Sequence, residues 1–398
     1  MSADSVKNFT KGLLGKYALI LVLLATMLVF EFLLPSGVSL FSPHNLNNLI
    51  VQNSYVVILA IGMLLCIISG GNIDLAVGSI VILVGALVGM LIVNWGINPY
   101  VAILICMGVG ILIGSWQGFW IAYVGIPAFI VTLAGMLMFR GIALIVMGGR
   151  NIGPFPVEYR NLFNSFLPAH WLNEPAGETV FISTLAIGIV VSVVILAVTV
   201  MSYLQRKRKG YEVDSFVNEM MYPLVICAGI VFLFNRLGHH NGMPAVLLII
   251  GVIFFIYSYF TQNTVLGRHL YAMGGNAKAA RLSGINTKRV LFFAYANNGF
   301  LASIAALVVV ARFNQASTMA GVGFELDAIA ACFIGGASAY GGIGKVGGVV
   351  IGAIFMGVLN MGMSLLGADI NLQRVITGGV LLAAVTFDIV SKKRKATA

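Results

Sequence analysis

Residues 50–69 read IVQNSYVVILAIGMLLCIIS, a run of twenty positions without a charged side chain. An α-helix of about 20 mostly apolar residues matches the hydrocarbon thickness of a bilayer. Similar runs recur along the chain of 398 residues, of which 60% are hydrophobic and 9% are charged. Soluble proteins carry roughly 25% charged residues. The composition therefore excludes a soluble enzyme, a disordered chain and a β-barrel porin, and it predicts an all-α polytopic membrane protein.

The apolar runs predict a bundle of about 10–12 transmembrane helices, which forms a single domain over residues 1–398. Twelve candidate spans lie at residues 17–34, 50–69, 75–93, 99–121, 127–147, 179–204, 220–237, 244–261, 289–311, 325–340, 347–367 and 371–390. Glycine runs interrupt the apolar pattern around Gly70-Gly71 and between Gly335 and Gly348. At both places the sequence leaves two alternatives open, a complete span and a broken or re-entrant helix.

Lysine and arginine residues indicate which loops face the cytoplasm. Of the 23 basic residues, 16 fall into four groups: Lys7, Lys11 and Lys16; Arg206 to Lys209; Arg268, Lys278, Arg281, Lys288 and Arg289; and Lys392 to Lys395. With twelve spans all four groups lie on one side of the membrane, and basic loops are retained in the cytoplasm. The sequence thus predicts a multi-pass membrane protein with a cytoplasmic N-terminus (1–16) and C-terminus (391–398). The loops 205–219 and 264–289 are expected in the cytoplasm, and the loop 148–178 on the opposite side.

No residue pattern predicts catalysis, a metal site or a cofactor. The four cysteines lie inside apolar runs, and the five histidines show no ligand spacing. Residues 342–347 (GIGKVG) match G-x-G-x-x-G, but this motif binds dinucleotides only in a strand-turn-helix unit, which the sequence lacks. The P-loop pattern G-x-x-x-x-G-K-[ST] is absent, so any ATP hydrolysis requires another subunit. No soluble basic domain is present, and nucleic acid is therefore not expected as a partner.

Few ionisable residues lie within the predicted spans. Asp74 follows Gly70-Gly71 at the start of the third span, where it either caps the helix or lines a break in the membrane. Arg140 either extends toward the interface or lines a polar path. Ion-coupled carriers normally keep several carboxylates within the membrane. Their scarcity here weighs against coupling to an ion gradient.

The basic loop 264–289 contains the signals of a short helix. Asn276 is a favourable N-cap, residues 277–283 are good helix formers, and Gly284 is a favourable residue just after a helix end. Ala279 and Ala280 present a small surface that another protein can approach. A helix of two turns is unstable by itself in water, so we expect it to dock against a partner.

Several segments of the chain resemble a known family of permeases. Ala279-Ala280 followed by Gly284 resembles the E-A-A-x-x-x-G loop of permease subunits in binding-protein-dependent ABC importers, with Lys278 in place of the glutamate. Residues 275–285 (GNAKAARLSGI), 69–79 (SGGNIDLAVGS, with Asn72 inserted) and 127–136 (PAFIVTLAGM) resemble the ribose, xylose and galactose branch. The additional apolar pair around 179–237 makes the chain most similar to the xylose or multiple-monosaccharide permeases.

The resemblance implies a transport subunit of the bacterial inner membrane that lacks an ATPase site and forms the path for a pentose or hexose. Its implied partners are cytoplasmic ABC ATPase subunits, an extracytoplasmic sugar-binding protein, a second permease copy in a homodimer, and membrane lipid. The short helix would be the coupling helix, with contacts from Asn276, Ala279, Ala280, Arg281 and Gly284. Residues 148–178 and 312–326 would receive the binding protein, with Glu325 and Asp327 facing its basic residues.

A neutral sugar needs amides and hydroxyls along its path rather than rings of charge. The candidates for this path are Asn72, Asp74, Thr132, Asn297 and Asn360. Two alternatives remain at this point: an ABC permease for another small polar solute, and an ion-coupled secondary transporter or channel.

Overall fold

Apolar runs of the predicted length form helices, which confirms an all-α polytopic architecture. The computed structural model describes residues 3–167, 181–211 and 215–397. The elements are α1 (Ala3–Leu33), α2 (Pro43–Ile68), α3 (Val77–Gly89, extended by a π-helical turn Met90–Asn94), α4 (Pro99–Phe119, extended by Trp120–Val124), α5 (Ala128–Met147), α6 (Val157–Asn164), β1 (Phe166–Leu167), α7 (Ile182–Arg208), α8 (Phe216–Gly238), β2 (Met243–Pro244), α9 (Ala245–Asn263), α10 (Val265–Gly275), α11 (Ala277–Leu282), α12 (Thr287–Phe313), α13 (Phe324–Ile334), α14 (Val346–Leu365) and α15 (Ile370–Thr397).

Nine helices within these described ranges are long and apolar enough to cross a membrane. They are α2, α3, α4, α5, α7, α8, α9, α12 and α14. The apolar parts of α1 and α15 are shorter, Ala18–Leu33 and Ile370–Thr386. Both helices continue beyond the predicted spans, since α1 begins at Ala3 and α15 ends at Thr397.

The predicted span 325–340 is a half-helix instead of a complete span. α13 has 11 residues, which corresponds to about 16 Å and to half of a bilayer core. It ends at glycines, and Gly336 and Gly341 have φ angles of +85° and +87°, which β-carbon-bearing residues rarely adopt. Residues 335–345 then run without a helix to α14. The broken-helix alternative is therefore the one that the structure adopts.

A second break separates α2 from α3. Residues 69–76 are not helical, and Gly70 and Gly71 have φ angles of +138° and +72°. The third predicted span therefore begins at Val77 and not at residue 75. In two helical pairs, α2–α3 and α13–α14, an irregular segment thus connects the helices. We call these the broken pairs.

The two broken pairs and α12 form the centre of the bundle. In the most apolar stretch of α12, 72% of the residues are buried within the protein, against 17% in α7. The largest hydrophobic cluster joins α2, α3, α12 and α14, and small residues let their backbones approach closely. α7 and α8 pack mainly on each other at the periphery.

The two ends of the bundle are built differently. One end, which we call the α11 end, carries α10, α11 and the start of α12. At the other end, the β1–β2 end, β1 pairs with β2, and Ile152 pairs with Ala316. Residues 168–178 of the predicted loop 148–178 lie outside the described residues. In the predicted loop 205–219, Arg206 and Glu219 form an ion pair between α7 and α8, and residues 212–214 are likewise not described.

Candidate functional site

The predicted short helix is present in the loop 264–289, where it forms α11. The Asn276 side chain accepts a hydrogen bond from the Ala279 N–H at 3.0 Å, which caps the helix as predicted. The helix ends at Leu282, one residue earlier than expected, and Gly284 has a φ of +85°. This conformation favours glycine and turns the chain into α12.

The exposed face of α11 differs from the predicted one. Ala279 and Arg281 are exposed, but Ala280 is buried, so it packs inward and does not offer a surface for docking. Leu282 is 90% exposed, and the sequence analysis missed it. Its only signal was a large apolar residue between Arg281 and Ser283, at the end of the predicted helix. An apolar side chain in this position fits a partner groove better than it fits water.

Unpaired positive charge surrounds α11. Lys278, Arg281, Lys288 and Arg289 are all exposed. In the part of the chain that the structure describes, the only ion pair is Arg206 with Glu219, so these four cations have no carboxylate within salt-bridge distance. The α11 surface therefore combines one apolar side chain with a basic rim.

Asp74 ties the first break to two other helices. It is fully buried, and its carboxylate accepts hydrogen bonds from the Asn298 amide on α12 at 2.8 Å and the Gln117 amide on α4 at 3.3 Å. It also accepts one from the Ala76 N–H at 2.9 Å. Ala76, not Asp74, occupies the N-cap position of α3, and it forms no side-chain capping hydrogen bond. Asp74 therefore binds three segments together and is not a simple helix cap.

Several buried acceptors of the bundle have no hydrogen-bond donor among the described residues. The side-chain oxygens Oδ1 of Asn298 and Oε1 of Gln117 belong to the two amides that hold Asp74, and Oε2 of Glu325 lies against Gly78 at the start of α3. A buried acceptor without a donor costs about 1–3 kcal/mol. Groups that donate hydrogen bonds, such as hydroxyls, would satisfy these oxygens.

Glu325 and Asp327 lie inside the bundle and not on a docking surface. Glu325 is 9% exposed, and Asp327 accepts a hydrogen bond from the Tyr55 hydroxyl on α2 at 2.9 Å. The Tyr55 ring stacks on Phe324 with ring centroids 3.7 Å apart. In this conformation neither carboxylate is available to basic residues of a partner. The physical reason is that both lie in the first turn of the half-helix α13, whose N-terminus favours negative charge within the protein.

The remaining predicted path residues lie at separate places. Asn360 on α14 interacts with the Asp327 carboxylate. Thr132 is buried and donates to the Ala128 carbonyl of its own helix at 2.9 Å, and Asn297 accepts from the Tyr257 hydroxyl at 2.6 Å. Asn72 lines an open cavity of about 410 Å³. The structure thus brings Asp74 and Asn298 together, and separately Asp327 and Asn360, while the side chains of Thr132 and Asn297 form hydrogen bonds with other partners.

The cavity beside Asn72 joins the first break to α11. Its lining includes Ser69 and Asn72 from the break, Tyr340 from the second irregular segment, and Asn276 and Lys288 from either side of α11. Asn72 Nδ2 lies 3.4 Å from the Ser69 hydroxyl, which accepts its hydrogen bond. Two parts of the site that are about 200 residues apart in the sequence therefore share one cavity.

A protein-family comparison matches residues 45–385 to the permease component of branched-chain amino acid transport systems. The chain belongs to this family. The permease is 36% identical to the xylose transport system permease protein XylH of Haemophilus influenzae over 382 residues, which cover 94% of this chain and 96% of that protein. It is 35% identical to XylH of Escherichia coli K12, with 95% and 92% covered.

The ribose import permease protein RbsC of Escherichia coli K12 is similar as well, with 32% identity and 96% of both chains covered. No solved structure matches the permease. Family membership and the apolar helices together establish a multi-pass membrane permease component.

Proposed function

We propose that this permease is the membrane subunit of a binding-protein-dependent ABC importer that carries a monosaccharide, a pentose or hexose, across the inner membrane. ATP is hydrolysed on separate cytoplasmic subunits. The proposal is supported by the names of the relatives, which are xylose and ribose permeases, and by the absence of a P-loop motif from the sequence. The observation that carries it is α11, a capped helix that exposes Leu282 within a basic rim.

The orientation follows from the basic groups. The α11 end faces the cytoplasm, as do both termini, because the loop 264–289 and the terminal segments hold three of the four groups of lysine and arginine. An extracytoplasmic sugar-binding protein then docks at the β1–β2 end. Phe313 and Met319 are exposed there, and they replace Glu325 and Asp327 as the proposed contacts.

The sugar path runs along the two breaks at the centre of the bundle. We assign to it Asn72, Asp74 and Asn360, together with Gln117 and Asn298, which the sequence analysis did not include. Their amide and carboxylate oxygens accept hydrogen bonds, as sugar hydroxyls require, and none of them places a positive charge on the path. Thr132 and Asn297 are assigned to helix packing around it. A homodimer of permease subunits encloses the complete path.

The second candidate is an importer for another small polar solute. It is favoured by the family description, which names branched-chain amino acids. An amino acid carries an ammonium and a carboxylate and needs partners of both signs, whereas the residues assigned to the path include the carboxylate of Asp74 and no cation. The sugar is therefore the better match.

Uptake into vesicles tests the proposal. The vesicles contain the permease, its ATPase subunits and a binding protein, and uptake of ribose, xylose, galactose, glucose and leucine is measured with and without ATP and with an ionophore. Sugar uptake that needs ATP and the binding protein, but no ion gradient, is the expected result. Leucine uptake under the same conditions would favour the second candidate. Uptake driven by a gradient without ATP would contradict both.

A further inference from the structure

Three backbone segments meet at the α11 end of the bundle with no side chain between them. They are the end of α2 at Ile68, the end of α10 at Gly274, and the second irregular segment at Gly342. We call these three residues the junction. The Gly342 N–H donates a hydrogen bond to the Ile68 carbonyl at 2.9 Å. A β-carbon on Gly274 would lie 1.8 Å from the Ile68 oxygen and 2.4 Å from the Gly342 nitrogen. Only glycine fits between these two backbones.

Further contacts fix the junction to both breaks. The Tyr271 hydroxyl on α10 donates to the Gly344 carbonyl at 2.7 Å. A β-carbon on Gly71 would lie 2.3 Å from the Ala339 oxygen, and one on Gly341 would lie 2.6 Å from the Gly70 α-carbon. The two irregular segments therefore touch each other, and α10 touches the second of them and the end of α2, which leads into the first.

α10 and α11 are joined without a flexible linker. Asn276 is the single residue between them, and it ends α10 while its side chain caps α11. A displacement of α11 must therefore move Gly274 as well. From Gly274 the contact passes to Ile68, which precedes the break that holds Asp74, and to Gly342, which precedes α14.

We propose that the junction transmits the movement of α11 directly into both intramembrane breaks, with Gly274, Gly342 and Tyr271 as positioning residues. The proposal rests on the proposed function, in which an ATPase subunit binds α11. A different route runs through Ala280, which is the buried residue of α11, a helix that also contacts α12. The junction is the more direct route because it reaches both breaks through backbone contacts, which cannot be relieved by a change of rotamer.

A comparison of Gly274→Ala with its matched control Gly275→Ala distinguishes an effect at the junction from a general effect of changing this loop. The added β-carbon at Gly275 meets nothing within 4 Å, so this variant should transport as the wild type does. In the Gly274→Ala complex, we expect the ATPase subunits to remain bound and hydrolysis to continue, while sugar uptake per ATP falls about tenfold. Wild-type uptake per ATP in an intact Gly274→Ala complex would overturn the proposal.

Tyr271→Phe provides a test that keeps the backbone intact. It removes the hydroxyl that binds the Gly344 carbonyl, and uptake per ATP is expected to fall about threefold at an unchanged yield of the complex. If Gly274→Ala does not yield an intact complex, Tyr271→Phe becomes the deciding test. An unchanged uptake per ATP in this variant would contradict the proposed role of the junction.

A cysteine at Asn72 tests the junction independently of what is transported. The native cysteines Cys66, Cys106, Cys227 and Cys332 are all buried, so a water-soluble maleimide should label mainly Asn72→Cys. Between the wild-type and Gly274→Ala backgrounds we expect the labelling rate to change at least about threefold, because the junction holds the first break. Equal rates would overturn the proposal. A wild-type complex without ATP-driven uptake would instead contradict the proposed function and leave this measurement valid.

Discussion

The broken helical pairs α2–α3 and α13–α14 differ from the continuous pair α7–α8 in almost every physical respect. The broken pairs are buried at the centre, and side chains from other helices bind within them, as the Asn298 amide does at Asp74. α7 and α8 face outward with large apolar side chains, such as Val190 and Val198, and their buried polar Ser192 is bonded to its own helix. The comparison shows that irregular backbone occurs where protein surrounds it, whereas the outward-facing pair consists of two unbroken helices.

The largest expected effect is the loss of Asp74. Asp74→Ala leaves the amides of Asn298 and Gln117 without their acceptor inside the bundle, which we expect to cost about 3 kcal/mol of stability. Uptake should fall at least about a hundredfold, measured in vesicles that contain equal amounts of assembled complex.

Ser192→Ala in α7 is the peripheral control for Asp74→Ala. It removes a hydroxyl whose hydrogen bond, among the described residues, goes to Gly188 of its own helix, and it should change uptake less than about twofold. Equal losses in the two variants would show that the central and peripheral pairs do not differ in function.

The second largest effect is expected where a glycine allows two helices to pack closely. A β-carbon on Gly352 of α14 would lie 2.1 Å from the Ala331 carbonyl of α13, whereas one on Gly188 of α7 would meet the Phe234 side chain of α8 at 2.5 Å. Both clashes are with atoms that the backbone holds in place, the Ala331 carbonyl and the Phe234 β-carbon, so Gly352→Ala and Gly188→Ala should each lower the melting temperature of the purified permease by about 5 °C. Only Gly352→Ala, which changes a central broken pair, should also lower uptake by the assembled complex. Gly229→Ala, whose β-carbon meets nothing within 4 Å, is the control.

A smaller effect is expected at the α11 surface, which lies outside the helical pairs compared above. Leu282→Asp replaces the exposed apolar side chain with a charge that the partner groove must desolvate. The amount of ATPase subunit recovered with the permease should fall about tenfold, while the melting temperature of the permease alone stays the same. Ala279→Ser, a small change on the same exposed face, should leave recovery unchanged. Normal recovery of Leu282→Asp would place the docking surface elsewhere.

The smallest expected effect is a pH dependence of stability at His240, where the end of α8 meets the start of α2. Burial, together with the nearby His44, lowers the pKa of His240, and the two rings lie 5.1 Å apart between centroids. A lowered pKa means that the unfolded chain binds the proton more readily. Stability is therefore unaffected above pH 6.5 or so and decreases as the pH falls below that value. His240→Gln should reduce this acid sensitivity between about pH 7.5 and 5.5, measured by thermal unfolding in detergent. An identical pH dependence in both proteins would show that His240 does not contribute.

Local sequence signals predicted the local features of the permease. Long apolar runs located the membrane helices, because a helix in lipid must satisfy its hydrogen bonds within one segment. Asn276 and Gly284 marked the cap and the end region of α11, since both act through the backbone of their immediate neighbours. The glycine runs near residues 70 and 335–348 marked the two breaks, although the sequence left a complete span as an alternative.

Contacts between distant segments were decided by the tertiary structure alone. Asp74 and Asn298 are separated by 224 positions, and Tyr55 and Asp327 by 272, so no local pattern connects them. For the same reason the sequence placed Glu325 and Asp327 on a docking surface and Ala280 on an exposed face, whereas packing buries Glu325 and Ala280 and bonds Asp327 to Tyr55 inside the bundle. Apolar runs and caps are properties of one helix, but burial and hydrogen-bond partners depend on which helices pack together. That choice arises from the close approach of whole backbones, as at Gly274, and it exists only in the folded bundle.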